Sequence, residues 1–297
     1  MADPCPVCNG SDARHFMDLK GFNYYRCRNC LLEFISPQPG DAFLSALYSK
    51  NYYDAWGLEK FEQEVISLKS NTFLHRLNTV KAYLKSGSKI LDCGCATGIF
   101  PDIAKASGYD AYGIEISTFA AGVCKQKHGD GKIFCGQMED AFFGDHPEGK
   151  FQAVFMSDFI EHVRDPKKII LKAAALIDDG LLVITTPRVK SFSYRISGRR
   201  WFQYKSEHLF YFAPSNIRQL LQSCGFANVT VKRATKFITV NYYISYFNTY
   251  RHPVFTPLAK LAKFILPAFI KRKPFRTVLG DMMVVAGKRK MNEGIWE

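Results

Sequence analysis

Two sets of residues in this chain are spaced for chemistry. The first is four thiols in two Cys-x2-Cys pairs, Cys5 with Cys8 and Cys27 with Cys30, eighteen residues apart. Each short pair can place two sulfurs on one side of a tetrahedral ion, and this separation follows the four-thiolate zinc pattern. Four protein ligands leave no open coordination position, so the expected site is structural. Zinc would fold a segment of about 35 residues that is too small for a core of its own. A redox pair is the rival reading, but neither pair follows a strand in a βαβ pattern. His15 lies between the pairs and could replace one thiol.

The second set begins at KILDCGCATGIF. Ile90 and Leu91 read as a short apolar strand, followed by an acid, Asp92, and a turn bearing Gly94, Ala96 and Gly98. Small residues there let backbone approach a ligand and open a helix whose N-terminus favours polar groups. Many nucleotide sites use such a loop, so it does not by itself name a ligand. AYGIEIS supplies a second strand ending in Glu115, where an acid can accept hydrogen bonds from both hydroxyls of a ribose. KIFCGQMED, FQAVFMSDFIEHVRDP and LLVITTP supply three further strands, the second of them running into polar residues and a helix.

The Asp92-x-Gly94-x-Ala96-x-Gly98 turn, Glu115, DFIEHVRDP and the strand ending TTP together resemble class I S-adenosylmethionine-dependent methyltransferases. The chain resembles the branch that contains ubiquinone-type O-methyltransferases and many small-molecule and surface-glycan methyltransferases. WFQYKSEHLFYFAPSNIRQLLQSCGF is similar to the same branch, and CPVC, YRCRNCLLEF and SPQP resemble a cysteine-rich leader that some of its bacterial members carry. The likeness spans roughly residues 86–235 plus a last strand at GDMMVVAGKRK. It implies an α/β Rossmann-like sheet of seven strands in the order 3-2-1-4-5-7-6. It also implies that Gly94 faces the cofactor's amino-acid portion, that Asp92 orients the loop and that Glu115 holds the ribose. Gln137 and Met138 would meet adenine, and Ser157 would lie beneath the reacting methyl. The family usually has glycine where Ala96 stands and an acid where Gln137 stands.

Methyl transfer to a hydroxyl needs alignment and removal of a proton. His162 and His208 are the candidate bases, and Glu161 could orient the acceptor or pair with a basic residue. Each has a structural alternative, His162 as a brace for the following helix. Trp201, Tyr204 and Tyr211 suit either an acceptor wall or the core, and Cys93 and Cys95 suit packing. The Asn-Pro-Pro-Tyr type of motif for exocyclic base amines is absent. That lowers the nucleic-acid reading, and the resemblance implies as acceptor an oxygen on a sugar or a glycan-linked or lipid-linked small molecule. An RNA methyltransferase gripping phosphates through the ribbon and a basic tail is a second reading. A non-catalytic binding module on the same fold is a third.

The chain has 297 residues and a net charge of +13, unevenly placed. Residues 188–206 carry six Lys or Arg and no acid; from 236 onward eleven basic residues face Asp281, Glu293 and Glu297. Both segments suit an anionic partner, including an acidic membrane surface. No signal peptide and no 18-residue apolar run is visible, so the expectation is a cytoplasmic protein, with peripheral membrane contact open. The expected organisation is a zinc ribbon over 1–36, linker and helices over 37–86 and a cofactor-binding core over 87–235. A basic amphipathic insertion over 236–276 and a last strand and tail over 277–297 complete it. In the linker, Val65, Leu68, Thr72, Leu77 and Val80 share a helical face, while Tyr48, Tyr52, Tyr53 and Trp56 form an aromatic cluster. In the insertion, Leu258, Leu261, Ala262 and Ile265 share a face opposite Lys260 and Lys263, which fits either an interfacial helix or a lid packed on its own domain.

Overall fold

The computed structural model describes residues 4–47, 58–143, 151–249 and 251–288. The aromatic cluster at 48–56 and the final residues lie outside them. Its central sheet grows from β4 (Lys89–Cys93), whose apolar residues are buried on both faces as a parallel strand requires. On one side lie β5 (Asp110–Glu115) and β6 (Ile133–Cys135), both parallel to β4. On the other lie β7 (Phe151–Ser157) and β8 (Ile177–Pro187), also parallel, then β13 (Asp281–Gly287), antiparallel, and β10 (Ala227–Arg233) at the edge. The order β6-β5-β4-β7-β8-β13-β10 is the expected 3-2-1-4-5-7-6.

Helices cover both faces. The long α2 (Leu58–Val80) follows α1 (Asp41–Leu47) and buries Val65, Leu68, Thr72, Leu77 and Val80, the face read from the sequence. α3 (Ile99–Ala106) packs beside it, with Phe73 of α2 edge-on to Phe100. α4 (Thr118–His128) is capped by Ser117, whose hydroxyl accepts from the Ala120 N–H. α5 (Pro166–Leu176) starts with proline in its first turn and Asp165 as cap.

The cysteine-rich N-terminus forms β1 (Ala13–Leu19), β2 (Phe22–Cys27) and β3 (Glu33–Ile35). This small sheet recruits a fourth strand from the core, β9 (Phe210–Tyr211), which pairs with β3 through Glu33 opposite Tyr211. The seam holds a buried carboxylate. Glu33 accepts from Arg26 Nε and Nη2 at 2.9 and 2.6 Å, from the Tyr194 hydroxyl at 2.8 Å and from the Tyr204 hydroxyl at 2.6 Å. Around it Tyr24, Trp201, Tyr204 and Tyr211 pack edge-on as one cluster. The three aromatics suited to either an acceptor wall or the core thus belong to the core, on the ribbon side.

After β10 the chain forms β11 (Lys236–Ile238), α8 (Val240–Thr249), α9 (Phe255–Ile265), α10 (Ala268–Arg272) and β12 (Phe275–Thr277), which pairs back on β11. The remaining helices are α6 (Phe192–Ser197), and α7 (Pro214–Ser223) ahead of β10.

Candidate active site

The loop after β4 is built for close backbone approach. Gly94, Ala96 and Gly98 all take positive φ, at 76°, 47° and 91°. A Cβ on Gly94 would stand 2.9 Å from the Phe159 ring, and one on Gly98 would stand 2.8 Å from Cys124 Sγ, so side chains are excluded there by contact as well as by backbone conformation. Ala96 takes the left-handed conformation with a methyl group in place. It is held by Glu115, whose carboxylate accepts from the Ala96 N–H and the Ser117 N–H, each at 2.9 Å. The acid at the end of the second core strand therefore also fastens the loop after the first. Asp92 is buried beneath the loop, and desolvation pushes its carboxyl well up. Cys93 and Cys95 are buried packing residues, with Cys95 Sγ 3.9 Å from Cys124 Sγ. Gln137 is exposed and Met138 buried in the turn after β6, and the Gly136 N–H ties that turn to the Glu115 carbonyl at 3.0 Å.

At the end of β7 the chain turns sharply through Ser157 and Asp158, the latter at φ 54°. Burial would push the Asp158 carboxyl up, but Lys236, Arg76 and Lys205 outweigh it and hold it down at about 2. Lys236 bridges Asp158 at 3.4 Å and Asp281 at 2.5 Å. Arg76, deep in α2, lies 3.6 Å from Asp158 and keeps Nε and Nη1 buried without a hydrogen-bond partner. Near the C-terminal end of α2 it gives no signal in the sequence beyond a basic residue interrupting the buried face.

Glu161, His162 and His208 come together, although 46 positions separate the histidines in the chain. The imidazoles meet edge to face with centroids 4.7 Å apart. Glu161 is fully buried, and neither carboxylate oxygen has a hydrogen-bond partner; burial and the nearby Asp158 push it up to about 8. Burial lowers His162 to about 4 and His208 well below its ordinary value. At neutral pH the trio is therefore an acid and two neutral imidazoles. One donor atom from each lies within 4.8 Å of the others, a spacing that a cation could bridge. His208 is 4% exposed while His162 is part-exposed, so His162 is the more accessible of the two.

The turn carrying this trio is fastened to the ribbon. The Glu161 carbonyl accepts from the Leu209 N–H at 2.8 Å and the Phe210 N–H at 3.3 Å, and the Leu209 carbonyl accepts from the Ile35 N–H at 3.0 Å. Arg164 reaches back to Gln38, the Pro39 carbonyl and Asp41. A cavity of about 290 Å³ on this seam, lined by Pro4, Pro6, Phe34, Ile35, Gln38 and Phe210, offers no titratable group.

In the ribbon, Cys5 Sγ and Cys30 Sγ are 3.5 Å apart, as are Cys8 Sγ and Cys27 Sγ, and all four sulfurs lie within 4.8 Å of one another. Tetrahedral zinc with bonds of about 2.3 Å sets its sulfurs roughly 3.8 Å apart, so the four thiols fit the ion. Without an ion the hydrogen bond between Cys5 and Cys30 lowers the Cys5 thiol and raises that of Cys30, so the buried pair shares a proton that a bound metal would displace.

A family model described as a methyltransferase domain matches residues 60–231, more than half of the chain. A ubiquinone biosynthesis O-methyltransferase of Paraburkholderia phymatum is 25% identical over 179 residues, 54% of this chain and 77% of that protein. Among solved structures, an S-adenosylmethionine-dependent methyltransferase from Archaeoglobus fulgidus superposes with a TM-score of 0.52 at 18% identity, over 77% of this chain and all of the other. A phosphoethanolamine N-methyltransferase 2 of Haemonchus contortus, in complex with S-adenosylmethionine, does so at 0.50 and 17% identity, over 87% and 62%. With the strand order and the glycine loop held by Glu115, these matches place the chain in the methyltransferase domain family, as a class I S-adenosylmethionine-dependent enzyme.

Proposed function

We propose that the chain methylates an oxygen of a small-molecule acceptor, on a sugar or on a glycan-linked or lipid-linked metabolite. The observation that carries this reading is the juxtaposition, at the ends of β4, β5 and β7, of a cofactor loop held by Glu115 and a buried acid–imidazole trio. When bound, S-adenosylmethionine supplies an electrophilic methyl on a sulfonium, and the protein's task is alignment and proton removal. The remaining lone pairs of Glu115 would accept from the ribose hydroxyls, while Asp92 and Gly94 would hold the amino-acid portion. Gln137 and the Met138 backbone would hold adenine, and Ser157 would help place the methyl donor. The two orphan donors of Arg76 suit a carboxylate at the same end.

His162, neutral and part-exposed, would take the acceptor hydroxyl's proton as that oxygen receives the methyl; His208 packs edge-on against it, and Glu161, buried and protonated at neutral pH, orients the acceptor. Support for oxygen as the methylated atom comes from the relatives, whose printed activity is O-methylation. Cys5, Cys8, Cys27 and Cys30 hold a structural zinc that takes no part in the reaction and stiffens the sheet to which β9 belongs. The ribbon over 1–36 is then a positioning element for the trio.

The test is incubation of the protein with methyl-labelled S-adenosylmethionine and an extract of its host, followed by nuclease digestion and partition. Label that survives nuclease and follows glycan, lipid or small-molecule fractions supports the reading. Label released by nuclease puts the RNA reading, favoured by the two basic segments, in its place. No label in any fraction, with the cofactor bound, leaves the non-catalytic module.

A further inference from the structure

The two basic segments, residues 188–206 and the insertion after 236, are remote in sequence but adjacent in the fold. Ser193 N–H of α6 donates to the Leu279 carbonyl at 3.1 Å, and Arg188 N–H donates to the Gly280 carbonyl at 3.0 Å. Phe202 packs edge-on against Tyr246 and Phe247 of α8, and Phe247 stacks on Phe255 of α9. The segments therefore share one side of the molecule.

On that side an apolar stripe is exposed together with the cations. A surface helix normally buries its apolar stripe, yet α9 buries Ala259 and turns Leu258, Leu261 and Ile265 outward at 54%, 55% and 62% exposure. Phe264 is 91% exposed, Phe269 of α10 74% and Phe192 of α6 60%. Lys260, Lys263, Arg272, Lys273 and Arg276 are exposed among them, and no Asp or Glu occurs anywhere from 236 to 280.

From this face we infer that the protein docks on an anionic lipid surface, with α9 and α10 lying in the interface and their Phe, Leu and Ile side chains entering it. The charge decides the partner. A second copy meeting this face would set its cations against those of the first. A nucleic-acid backbone would engage the cations and leave the exposed Phe, Leu and Ile residues in water. A surface that is negative at its headgroups and apolar beneath uses both sets. The eleven residues of α9 extend about 16 Å, half of what a hydrocarbon core requires, so the segment lies on a membrane and does not cross it. Among the described residues no helix is long and apolar enough to span. Docking stands apart from the identity of the acceptor, since none of these residues belongs to the cofactor loop or the trio.

The test is flotation of the full chain with vesicles of phosphatidylcholine alone, or of phosphatidylcholine with one part in three phosphatidylglycerol, at low and high salt. The expected result is binding to the anionic vesicles only, weakened about fivefold for each cation neutralised and further by salt. The exposed pair Phe264→Ser/Phe269→Ser should lower that binding at least about tenfold with the unfolding midpoint and cofactor binding unchanged. Equal flotation with neutral vesicles, no flotation with either, or a folded double variant that binds like the wild type would overturn the inference. So would RNA that displaces the protein from vesicles and binds the double variant equally well. If the variant fails to fold, the wild-type comparison of the two vesicle compositions decides alone.

Discussion

Replacing Glu33 by alanine should detach the ribbon from the core without touching a cysteine. Glu33 has no solvent exposure and receives hydrogen bonds from Arg26, Tyr194 and Tyr204. Its removal leaves the buried Tyr204 hydroxyl without its acceptor and Arg26 without its ion-pair partner. Breaking a buried pair by deleting one member costs about 3–5 kcal/mol, and because the Arg26 side chain is 42% exposed the low end applies, about 3 kcal/mol. With an unfolding entropy of about 2.1 cal/mol/K per residue, a chain of this length should lose roughly 5 °C in melting midpoint. Glu33 also pairs across β3 and β9 with Tyr211, next to the Leu209 and Phe210 N–H groups that hold the Glu161 carbonyl. Methyl transfer should therefore fall more than stability alone explains, at temperatures where the variant is folded. Scanning calorimetry on Glu33→Ala, Tyr204→Phe and the double variant checks the reasoning. The two changes should be coupled by about 1 kcal/mol or more. A midpoint within 1 °C of the wild type, or strict additivity, would refute the clasp.

Glu161→Gln should flatten the dependence of stability on pH between about 4.5 and 8. The folded Glu161 keeps its proton up to about 8 while the unfolded side chain loses it near 4.5, so stability falls as pH rises through that window. Between pH 6.5 and 8 the loss is about 2 kcal/mol; because Gln mimics the protonated acid, urea midpoints of wild type and variant should lie closest at low pH and the wild type should fall relative to the variant as pH rises, whereas parallel curves would contradict the buried acid. His162 acts in the opposite sense. Its depressed value means stability rises with pH between about 4 and 6.5, and His162→Gln should remove that rise. Cys27→Ser should release the zinc and lower the midpoint, and unchanged metal content by elemental analysis would defeat the four-thiolate assignment. Ala96→Gly should relieve a left-handed alanine worth about 1 kcal/mol against a similar entropic loss, so a midpoint within about 2 °C is expected.

What could be read in the sequence followed its local periodicities. Apolar runs ending in acids gave the parallel strands, the order of the sheet followed from the resemblance, and the buried face of α2 followed from helical spacing. Pairing across long separations left no such trace. Nothing near Phe210 or Glu33 indicates that they share a ladder, because the three-residue β3 carries too little pattern to specify a partner. Trp201, Tyr204 and Tyr211 look the same in sequence whether they line a pocket or fill a core, and only β9 joining the ribbon sheet decides between the two. Periodicity assigned Leu258, Leu261 and Ile265 to one face of α9, but not the direction in which that face points. It points outward, which argues against a lid packed through that stripe.

The central claim, a cofactor site at the Asp92 loop closed by Glu115, is tested most directly by titrating S-adenosylhomocysteine into the protein and into Glu115→Ala by calorimetry. The wild type should bind one equivalent. The variant should be weaker by about 2 kcal/mol, or about thirtyfold, as two charge-assisted hydrogen bonds to the ribose are lost. No binding to the folded wild type, or equal affinity in both proteins, would contradict the site.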